Sequence, residues 1–241
     1  MTRAAHPDLL VVGGGTAGIV AAKTAAGFGA RVVLVERDRT GGDCLWTGCV
    51  PSKSLIAAAS AATAVRRGSA FGVIATHVTV DFTQVMQHGR DAIAAIAPVD
   101  SPKALSDAGV TVVKGSARFT DDRTAAIGEH VIAFAQAVLA TGARPTVPGI
   151  PGLETIDYLT SETVWDLTEL PRRLLVLGGG SVGCELAQAF ARLGSAVTLI
   201  ESAETLVPRE DPAAAAALTA SMCSDGVEVL TAATAESICE H

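Results

Sequence analysis

The chain is poor in aromatic residues, which make up only 4% of its 241 positions. Hydrophobic residues still account for 49% of the sequence, so the interior must be built mainly from Ala, Val, Leu and Ile. Basic residues are also scarce, with 18 against 25 acidic ones, and the net charge is −7. Because no basic stripe runs along the chain, we expect no nucleic acid partner.

Long apolar runs are missing as well. No run approaches the roughly 20 residues that a membrane-spanning helix requires, so we expect no membrane partner. The first apolar run, in DLLVVGGG, is short and passes directly into glycines, which does not fit a signal peptide. Five cysteines are too few, and odd in number, for a secreted disulfide scaffold. The sequence therefore predicts a cytoplasmic α/β protein of one or two domains.

Two cysteines stand close together in the segment GGDCLWTGCVPSK, residues 41–53. Cys44 and Cys49 are separated by four residues, and Pro51 follows as the expected first residue of a helix. A thiol beside a helix N-terminus is stabilised as the thiolate, the form that attacks disulfides and binds metals. We predict that Cys44 and Cys49 form a reversible disulfide.

A Gly-rich unit occurs twice in the chain. In each copy an apolar strand leads into three glycines, a helix, a second strand and a glutamate. The glutamate follows the first glycine by 23 positions in both copies (36 − 13 and 201 − 178). The residues concerned are Gly13, Gly15, Gly18 and Glu36 in the first copy, and Gly178, Gly180, Gly183 and Glu201 in the second.

This pattern is typical of dinucleotide-binding units. The first glycine permits the tight strand-to-helix turn, the second lets the backbone approach a pyrophosphate, and the third allows close helix–strand packing. The glutamate accepts hydrogen bonds from a ribose hydroxyl. Since the cysteine pair follows the first unit and a flavin can exchange electrons with a disulfide, we predict FAD on the first unit and NAD(P) on the second.

The remaining segments predict further elements. Residues 51–67 and 81–96 read as helices, and residues 110–113, 130–139 and 226–230 as strands. Two shorter strands, 115–119 and 125–128, flank a turn at 121–123 and predict a small antiparallel segment. The Pro-rich run 145–151 reads as a linker, so we divide the chain into domains 1–150 and 151–241.

These motifs resemble the N-terminal half of class I flavin-dependent pyridine nucleotide–disulfide oxidoreductases, of the dihydrolipoamide dehydrogenase and mercuric reductase type. The resemblance covers essentially the whole chain. It rests on the two Gly-rich fingerprints, the C-x4-C-V-P-S-K signature that ends at Lys53, and the A-T-G-A-R-P segment that begins at Ala140. It implies an α/β fold of two Rossmann-like three-layer units in tandem, the second incomplete, beside a small antiparallel β segment.

The resemblance also implies residue roles. Cys49 would be the flavin-proximal thiolate, Cys44 the thiol that attacks the substrate, and Lys53 a neighbour of the flavin N5. The residues implied to contact FAD are Gly13, Gly15, Gly18, Glu36, Lys53, Ala117, Thr141 and Gly142. Those implied to contact NAD(P) are Gly178, Gly180, Gly183 and Glu201, and the resemblance implies no metal ligands.

Two residues bear on specificity. Glu201 would accept a hydrogen bond from the 2′-hydroxyl of NADH and repel the 2′-phosphate of NADPH, so we predict a preference for NADH. Trp46 lies between the two cysteines, where relatives commonly have a polar residue. Two roles for it are open: it shapes the substrate side of the disulfide, or it packs under the loop.

The predicted activity is transfer of a hydride from NADH through FAD to the Cys44–Cys49 disulfide, and onward to a disulfide, dithiol or metal-ion substrate. Two alternatives stay open: a flavin NADH oxidase or diaphorase that does not use the disulfide, and a non-catalytic FAD/NAD-binding fragment. Full-length members of this family are homodimers. We expect the C-terminal dimerisation domain to be absent from this chain, which leaves its activity uncertain.

Overall fold

The computed structural model describes residues 6–239. These residues form ten strands, seven α-helices and four short 3-10 helices. The strands are β1 (Leu9–Val12), β2 (Val32–Glu36), β3 (Val110–Lys114), β4 (Ala117–Asp121), β5 (Thr124–Ile127), β6 (His130–Ala133), β7 (Gln136–Leu139), β8 (Arg173–Leu177), β9 (Ala196–Ile200) and β10 (Val227–Leu230). The α-helices are α1 (Thr16–Gly27), α2 (Gly42–Trp46), α3 (Cys49–Arg67), α4 (Phe82–Ile96), α5 (Pro102–Asp107), α6 (Ser181–Leu193) and α7 (Pro212–Ser224). Short 3-10 helices cover Gly68–Phe71, Ala97–Asp100, Leu153–Thr155 and Val164–Asp166.

The first Gly-rich unit is built on a parallel sheet with the strand order β3-β2-β1-β7. Side chains alternate along β1, so this sheet is covered on both faces. Leu10 and Val12 pack with Ile127 of β5 and with Phe134, whereas Val11 packs with residues of α1 and α5 such as Leu105. The antiparallel sheet β4-β5-β6 therefore lies on one face and the helices on the other.

The second Gly-rich unit has a parallel sheet with the strand order β10-β9-β8. Its core joins β9 to helices from two parts of the sequence. Leu55 of α3, Phe82 of α4 and Phe190 of α6 belong to one buried cluster with Leu199 of β9. The rings of Phe82 and Phe190 lie 6.1 Å apart between centroids. Burial of such large side chains contributes about 1.5 to 3 kcal/mol each.

The chain divides into two compact units. The first contains the described residues up to Val50 together with Ala92–Arg144, and the second contains Pro51–Asp91 together with the described residues from Pro145 onward. The change at 144/145 lies at the start of the predicted linker, but the structure differs from the predicted domain 1–150 in that Pro51–Asp91 belongs to the second unit. The physical reason is the cluster around Phe82 and Phe190, which ties this segment to α6.

Two local predictions need correction. The predicted first helical residue, Pro51, is the third residue of α3, which begins at Cys49 itself. Residues 130–139 were predicted as one strand but form β6 and β7, which belong to different sheets. The change of sheet occurs at Phe134, whose N–H donates to the Arg123 carbonyl, and at Ala135, whose N–H donates to the Pro7 carbonyl. A continuous apolar run cannot reveal that its two halves have different partners.

The predicted fold class is confirmed: two Rossmann-like α/β units follow one another, with a separate small antiparallel sheet. Helices α5 and α7 were not predicted. Both begin with a proline after a side-chain cap, Ser101 for α5 and Asp211 for α7, which is a recognisable start signal. Among the described residues, no helix combines the length and the apolar character needed to cross a membrane.

Candidate functional site

The first Gly-rich loop is packed so tightly that its outer glycines cannot carry a side chain. Gly13 has a φ of +107°, and an added Cβ would lie 2.1 Å from the carbonyl oxygen of Ala140. A Cβ on Gly18 would lie 1.8 Å from the carbonyl oxygen of Gly13. Helix α1 therefore lies directly on the end of β1. Gly15, the capping residue that precedes α1, makes no side-chain cap, so no such cap competes with an anion such as a pyrophosphate for the first N–H groups of the helix.

The carboxylate of Glu36 is fixed against this loop. Its Oε2 accepts a hydrogen bond from the Gly14 N–H at 2.6 Å, and its Oε1 accepts one from the Asp38 N–H at 2.8 Å. A Cβ on Gly14 would lie 3.1 Å from the Cβ of Glu36. Sequence reasoning assigned no role to Gly14, although the middle glycine of the GGG run was a visible signal. Each carboxylate oxygen keeps a lone pair that a ribose hydroxyl could use.

The second Gly-rich loop reproduces this arrangement. The Oε2 of Glu201 accepts a hydrogen bond from the Gly179 N–H at 2.6 Å, and its Oε1 accepts one from the Ala203 N–H at 2.8 Å. The hydrogen bonds from Ala203 and Gly179 lower the pKa of the Glu201 carboxyl. Glu201 is therefore ionised at neutral pH. A Cβ on Gly183 would lie 2.0 Å from the Gly178 carbonyl oxygen, so α6 lies directly on the end of β8.

The two loops differ at the glycine that begins each helix. A Cβ on Gly180 would meet no protein atom within 4 Å, whereas one on Gly15 would lie 3.7 Å from the Cα of Gly42. Like α1, α6 begins without a side-chain cap. A helix N-terminus without a side-chain cap, next to open space at Gly180, could accept an anionic group such as a pyrophosphate. Binding of NAD(P) at the second loop stays a prediction.

The segment that carries the cysteines lies directly on the first Gly-rich loop. Gly41 donates its N–H to the Gly14 carbonyl at 2.8 Å, and an added Cβ on Gly42 would lie 2.6 Å from the Cα of Gly15. Gly41 and Gly42 both have positive φ values, +105° and +58°. Leu45, 2% exposed, anchors α2 in the interior of the unit. Cys44 is thereby held on a short helix next to the loop predicted to bind the FAD pyrophosphate.

A tight turn connects the two cysteine-bearing helices. The N–H groups of Thr47 and Gly48 both donate to the carbonyl of Asp43, at 2.9 and 2.5 Å. A Cβ on Gly48 would lie 2.8 Å from that carbonyl oxygen and 3.5 Å from the Cα of Cys44. Cys49 follows immediately as the first residue of α3. Cys44 is half-buried and Cys49 is exposed.

Lys53 lies one helical turn past Cys49 on α3 and pairs with a carboxylate. Its Nζ lies 2.9 and 2.8 Å from the two carboxylate oxygens of Glu185, which belongs to α6. Both side chains are substantially exposed. Sequence reasoning predicted a flavin contact for Lys53 and did not identify Glu185 as its partner. The flavin contact stays a prediction.

The other predicted FAD contacts lie in the first unit, near the carboxyl ends of its strands. Thr141 and Gly142 follow β7, and the backbone nitrogen of Thr141 would lie 3.2 Å from a Cβ on Gly13. Ala117 begins β4, two residues after Gly115, whose N–H donates to the Glu36 carbonyl at 2.8 Å. Ligands of open α/β sheets bind at this edge. These three assignments fit the geometry but stay predictions.

The remaining cysteines are separate from this site. Cys184 is buried in α6, where its Sγ donates to the Gly179 carbonyl at 3.3 Å. Burial, and then the Glu201 carboxylate, raise the pKa of the Cys184 thiol, so it is a packing residue rather than a reactive one. Cys223 and Cys239 are exposed. Within residues 6–239, no group of three or more His, Cys, Asp or Glu side chains is arranged to hold a metal ion.

Comparison with known proteins identifies the family to which the chain belongs. The family described as "Pyridine nucleotide-disulphide oxidoreductase" matches residues 7–241. Mercuric reductase of Shigella flexneri is 42% identical over 229 residues, and the alignment covers 92% of this chain and 40% of that protein. Mercuric reductase of Streptomyces lividans is 40% identical over 231 residues, with 93% and 48% coverage. The chain thus spans less than half the length of these two relatives.

Solved structures similar to this chain belong to flavoprotein disulfide reductases. The HOCl-induced flavoprotein disulfide reductase RclA from Escherichia coli superposes with a TM-score of 0.82 at 29% identity, over 97% of this chain and 51% of that one. A Cu(II) complex of the same reductase gives a TM-score of 0.81 at 30% identity, over 97% of this chain and 50% of that one. With its Gly-rich loops, its cysteine pair and a family match over nearly all of its length, the chain belongs to the pyridine nucleotide-disulphide oxidoreductase family.

Proposed function

We propose that this chain carries the electron-input half of an NADH-dependent flavoprotein disulfide reductase. The observation that carries the proposal is the contact between Gly42, the first residue of the Cys44 helix, and Gly15 of the first Gly-rich loop. This contact puts the cysteine pair next to the loop whose geometry suits a dinucleotide pyrophosphate. A redox pair next to that loop is what electron transfer between a flavin and a disulfide requires.

The first loop would hold FAD through the free N–H groups of α1, the lone pairs of Glu36 and the backbone after β7. Bound FAD supplies the two-electron chemistry that connects a hydride donor to a disulfide. Tight packing at Gly13 and Gly18 holds the loop that would carry its pyrophosphate close to the end of β1 and the backbone after β7. Cys49, at the start of α3, has its thiolate favoured by the helix N-terminus.

Two thiols then carry the electrons onward. The reduced pair would present Cys44 as the attacking thiol and Cys49 as the thiol that closes the disulfide again. Relatives named mercuric reductase, and the Cu(II) complex of a similar flavoprotein disulfide reductase, indicate the class of acceptor. We therefore infer that the substrate is a disulfide or a thiophilic metal ion, because both are attacked by thiolates.

Glu201 supports NADH as the hydride donor. Its carboxylate is ionised, and its position is fixed by the Gly179 and Ala203 N–H groups. A 2′-phosphate at the same place would meet a like charge without a neighbouring base, since no Arg or Lys occurs between Glu201 and Pro208. The 2′-hydroxyl of NADH would instead donate to a free lone pair.

The proposal is tested by counting thiols. The chain is loaded with FAD, reduced anaerobically with NADH, and alkylated under denaturing conditions. We expect two more alkylated cysteines per chain than without NADH, and none of this gain in Cys44→Ser or Cys49→Ser. Cys223→Ser serves as the matched control, because Cys223 is an exposed cysteine outside the site and its loss should leave the gain intact.

The same experiment separates the alternatives. Flavin reduction without new thiols would support a flavin NADH oxidase or diaphorase that bypasses the cysteines. Nucleotide binding without flavin reduction would support a non-catalytic binding fragment. Failure to retain FAD at all would refute the assignment of the first Gly-rich loop.

A further inference from the structure

Trp46 is held on two sides by the segment that follows β2. Its Nε1 donates a hydrogen bond to the carbonyl of Thr40 at 2.8 Å. The guanidinium of Arg39 lies over its ring, 4.1 Å from the centroid. Thr40 is buried, whereas Arg39 is about half exposed. The hydrogen bond fixes the edge of the indole and the cation covers its face, so the ring has one well-defined position.

The position of Trp46 on α2 shows which side of the helix it anchors. Trp46 is the last residue of α2, and Cys44 lies two positions earlier on the same helix. Side chains two positions apart on a helix point about 200° apart around the axis. Trp46 therefore does not cover the thiol of Cys44. Of the two roles open from the sequence, the structure shows packing against the preceding chain.

Helix α2 depends on such anchors for its orientation. It has five residues, far fewer than the roughly 12 to 15 that an isolated helix needs to be stable in water. Leu45 provides one anchor in the interior, and Trp46 provides the second. Two anchors at adjacent positions fix both the depth and the rotation of the helix. The direction in which Cys44 points follows from these two contacts.

The Trp46 anchor also connects Cys44 to the predicted ribose carboxylate. Arg39 lies 3.9 Å from the carboxylate of Asp38, measured from Nε to Oδ2. The N–H of Asp38 donates to the Oε1 of Glu36. A continuous set of contacts therefore runs from Glu36 through Asp38 and Arg39 to Trp46, all within the first compact unit.

We propose that Trp46 is a positioning residue for Cys44, with Arg39 as its cationic partner, and that the pair sets how readily Cys44 closes the disulfide with Cys49. The inference rests on the proposed function, because it assumes that the two cysteines form the redox pair. Loss of the hydrogen bond to Thr40 or of the contact with Arg39 lets α2 rotate. The Cys44 thiol then spends less time facing Cys49, and the effective concentration that drives closure falls.

The test measures the closing equilibrium directly, without enzyme turnover. The full chain with Cys223→Ser and Cys239→Ser is equilibrated in glutathione buffers, and the closed fraction is measured by alkylation and mass spectrometry. Closure joins the two sulfurs, and the two protons and two electrons of the dithiol reduce one glutathione disulfide to two glutathione thiols. The buried Cys184 is left in place.

We expect Trp46→Leu to lower the closing constant about tenfold, which corresponds to about 30 mV for this two-electron couple. Trp46→Phe keeps a ring under Arg39 but lacks Nε1, and Arg39→Gln keeps the hydrogen bond but removes the cation. Both should give smaller decreases in the same direction. Trp165→Phe is the matched control, because its Nε1 also donates to a backbone carbonyl, that of Ser161 at 2.9 Å, in the other unit.

The outcomes separate this inference from the function on which it rests. If the parent chain forms no Cys44–Cys49 disulfide in any buffer, both are overturned. If the parent closes and Trp46→Leu, Trp46→Phe and Arg39→Gln all stay within twofold of it, only the role of Trp46 is overturned. If Trp46→Leu does not fold, the comparison rests on Trp46→Phe and Arg39→Gln, whose melting temperatures are recorded in parallel.

Discussion

At the scale of single residues, the two glutamates do more than the sequence indicated. Glu36 and Glu201 were predicted to bind ribose hydroxyls. In the structure each carboxylate also accepts the N–H of the middle glycine of its loop, Gly14 or Gly179, at 2.6 Å. The same side chain thus fixes the loop and leaves lone pairs for a ligand. The middle glycine packs tightly in both loops, since an added Cβ on Gly14 or Gly179 would lie 3.1 or 3.0 Å from the Cβ of the glutamate.

Glu201→Gln is predicted to weaken the discrimination between NADH and NADPH. Removing the negative charge removes its repulsion of the 2′-phosphate, so the ratio of the two dissociation constants should fall about tenfold, equivalent to about 1.4 kcal/mol. Binding titrations with both nucleotides measure this ratio. Glu36→Gln is the matched control, since it occupies the equivalent place on the other loop and should leave the ratio unchanged. Tighter binding of NADPH by the unchanged chain would contradict the prediction.

Gly18→Ala is predicted to destabilise the chain by about 2 to 3 kcal/mol, because the new methyl group would overlap the Gly13 carbonyl and the backbone must shift. Urea unfolding measures the difference. Gly27→Ala, at the other end of α1, is the control: an added Cβ meets nothing within 4 Å there. It should be neutral or stabilising by up to about 1 kcal/mol. Equal effects of the two substitutions would refute the packing argument.

At the scale of elements, one buried carboxylate connects three helices of the second unit. Asp225 follows α7, and its side chain is only 2% exposed. It accepts hydrogen bonds from Arg67 of α3 at 2.6 Å and from Arg192 of α6 at 2.7 Å. Gln188 of α6 adds a third at 2.8 Å. This network supplements the apolar cluster around Phe190 in holding α3 to the second unit.

Asp225→Ala is predicted to lower the free energy of unfolding by about 2 to 4 kcal/mol. Loss of one partner leaves the other charges of a buried network uncompensated, and the cost is reduced here because Arg67 is half exposed. Thermal and urea unfolding both measure the loss. Asp107→Ala breaks the exposed Lys103–Asp107 pair on α5 and should cost no more than about 0.5 kcal/mol. A loss for Asp225→Ala as small as that of the control would show that the network adds nothing to stability.

The starts of β1 and β2 are joined by an ion pair that titrates in acid. Hydrogen bonds from Arg31 hold the pKa of Asp8 at about 2, below its ordinary value of 3.8. Because the folded chain favours the ionised form, the pair stabilises the fold above about pH 4, and this contribution is lost as the pH falls toward 2. Asp8→Asn should therefore lose less stability than the parent between pH 5 and pH 2.5. Urea unfolding midpoints that fall by the same amount with pH in the parent and in the variant would contradict this linkage.

At the scale of the whole molecule, the chain uses the same unit of strand, Gly-rich loop, helix, strand and glutamate twice, and each copy has different residues after the glutamate. In the first unit the residues after the glutamate lead through Gly41 and Gly42 into the cysteine-bearing helices. In the second, the equivalent residues end at Val207, whose N–H donates to the Gly179 carbonyl just as that of Gly41 donates to the Gly14 carbonyl. The first copy therefore carries the cysteine pair, and in the second an added Cβ on Gly180 would meet no protein atom within 4 Å.

Gly180→Ala is predicted to weaken binding of NADH while leaving binding of FAD unchanged. The added methyl group meets no protein atom, so the melting temperature should change little, with a cost below about 1 kcal/mol from the altered helix cap. It enters the space proposed for the NADH pyrophosphate. NADH binding should weaken at least about tenfold, while bound FAD per chain, measured by absorbance, stays unchanged. Unaltered NADH affinity would refute the second site.

The sequence by itself determined the local order of strands, glycines and glutamates, because turn geometry and close packing permit few residue types at those positions. It predicted the strands 173–177 and 196–200 with the bounds of β8 and β9, a helix between them that ends near Leu193, and the helix after the cysteine pair to within two residues. Only the tertiary structure decided that residues 130–139 divide between two sheets and that Pro51–Asp91 joins the second unit. It likewise showed that Lys53 pairs with Glu185 and that Trp46 packs on Arg39 and Thr40. These contacts depend on which surfaces meet, and no local pattern along the chain specifies the partner of an apolar or charged face.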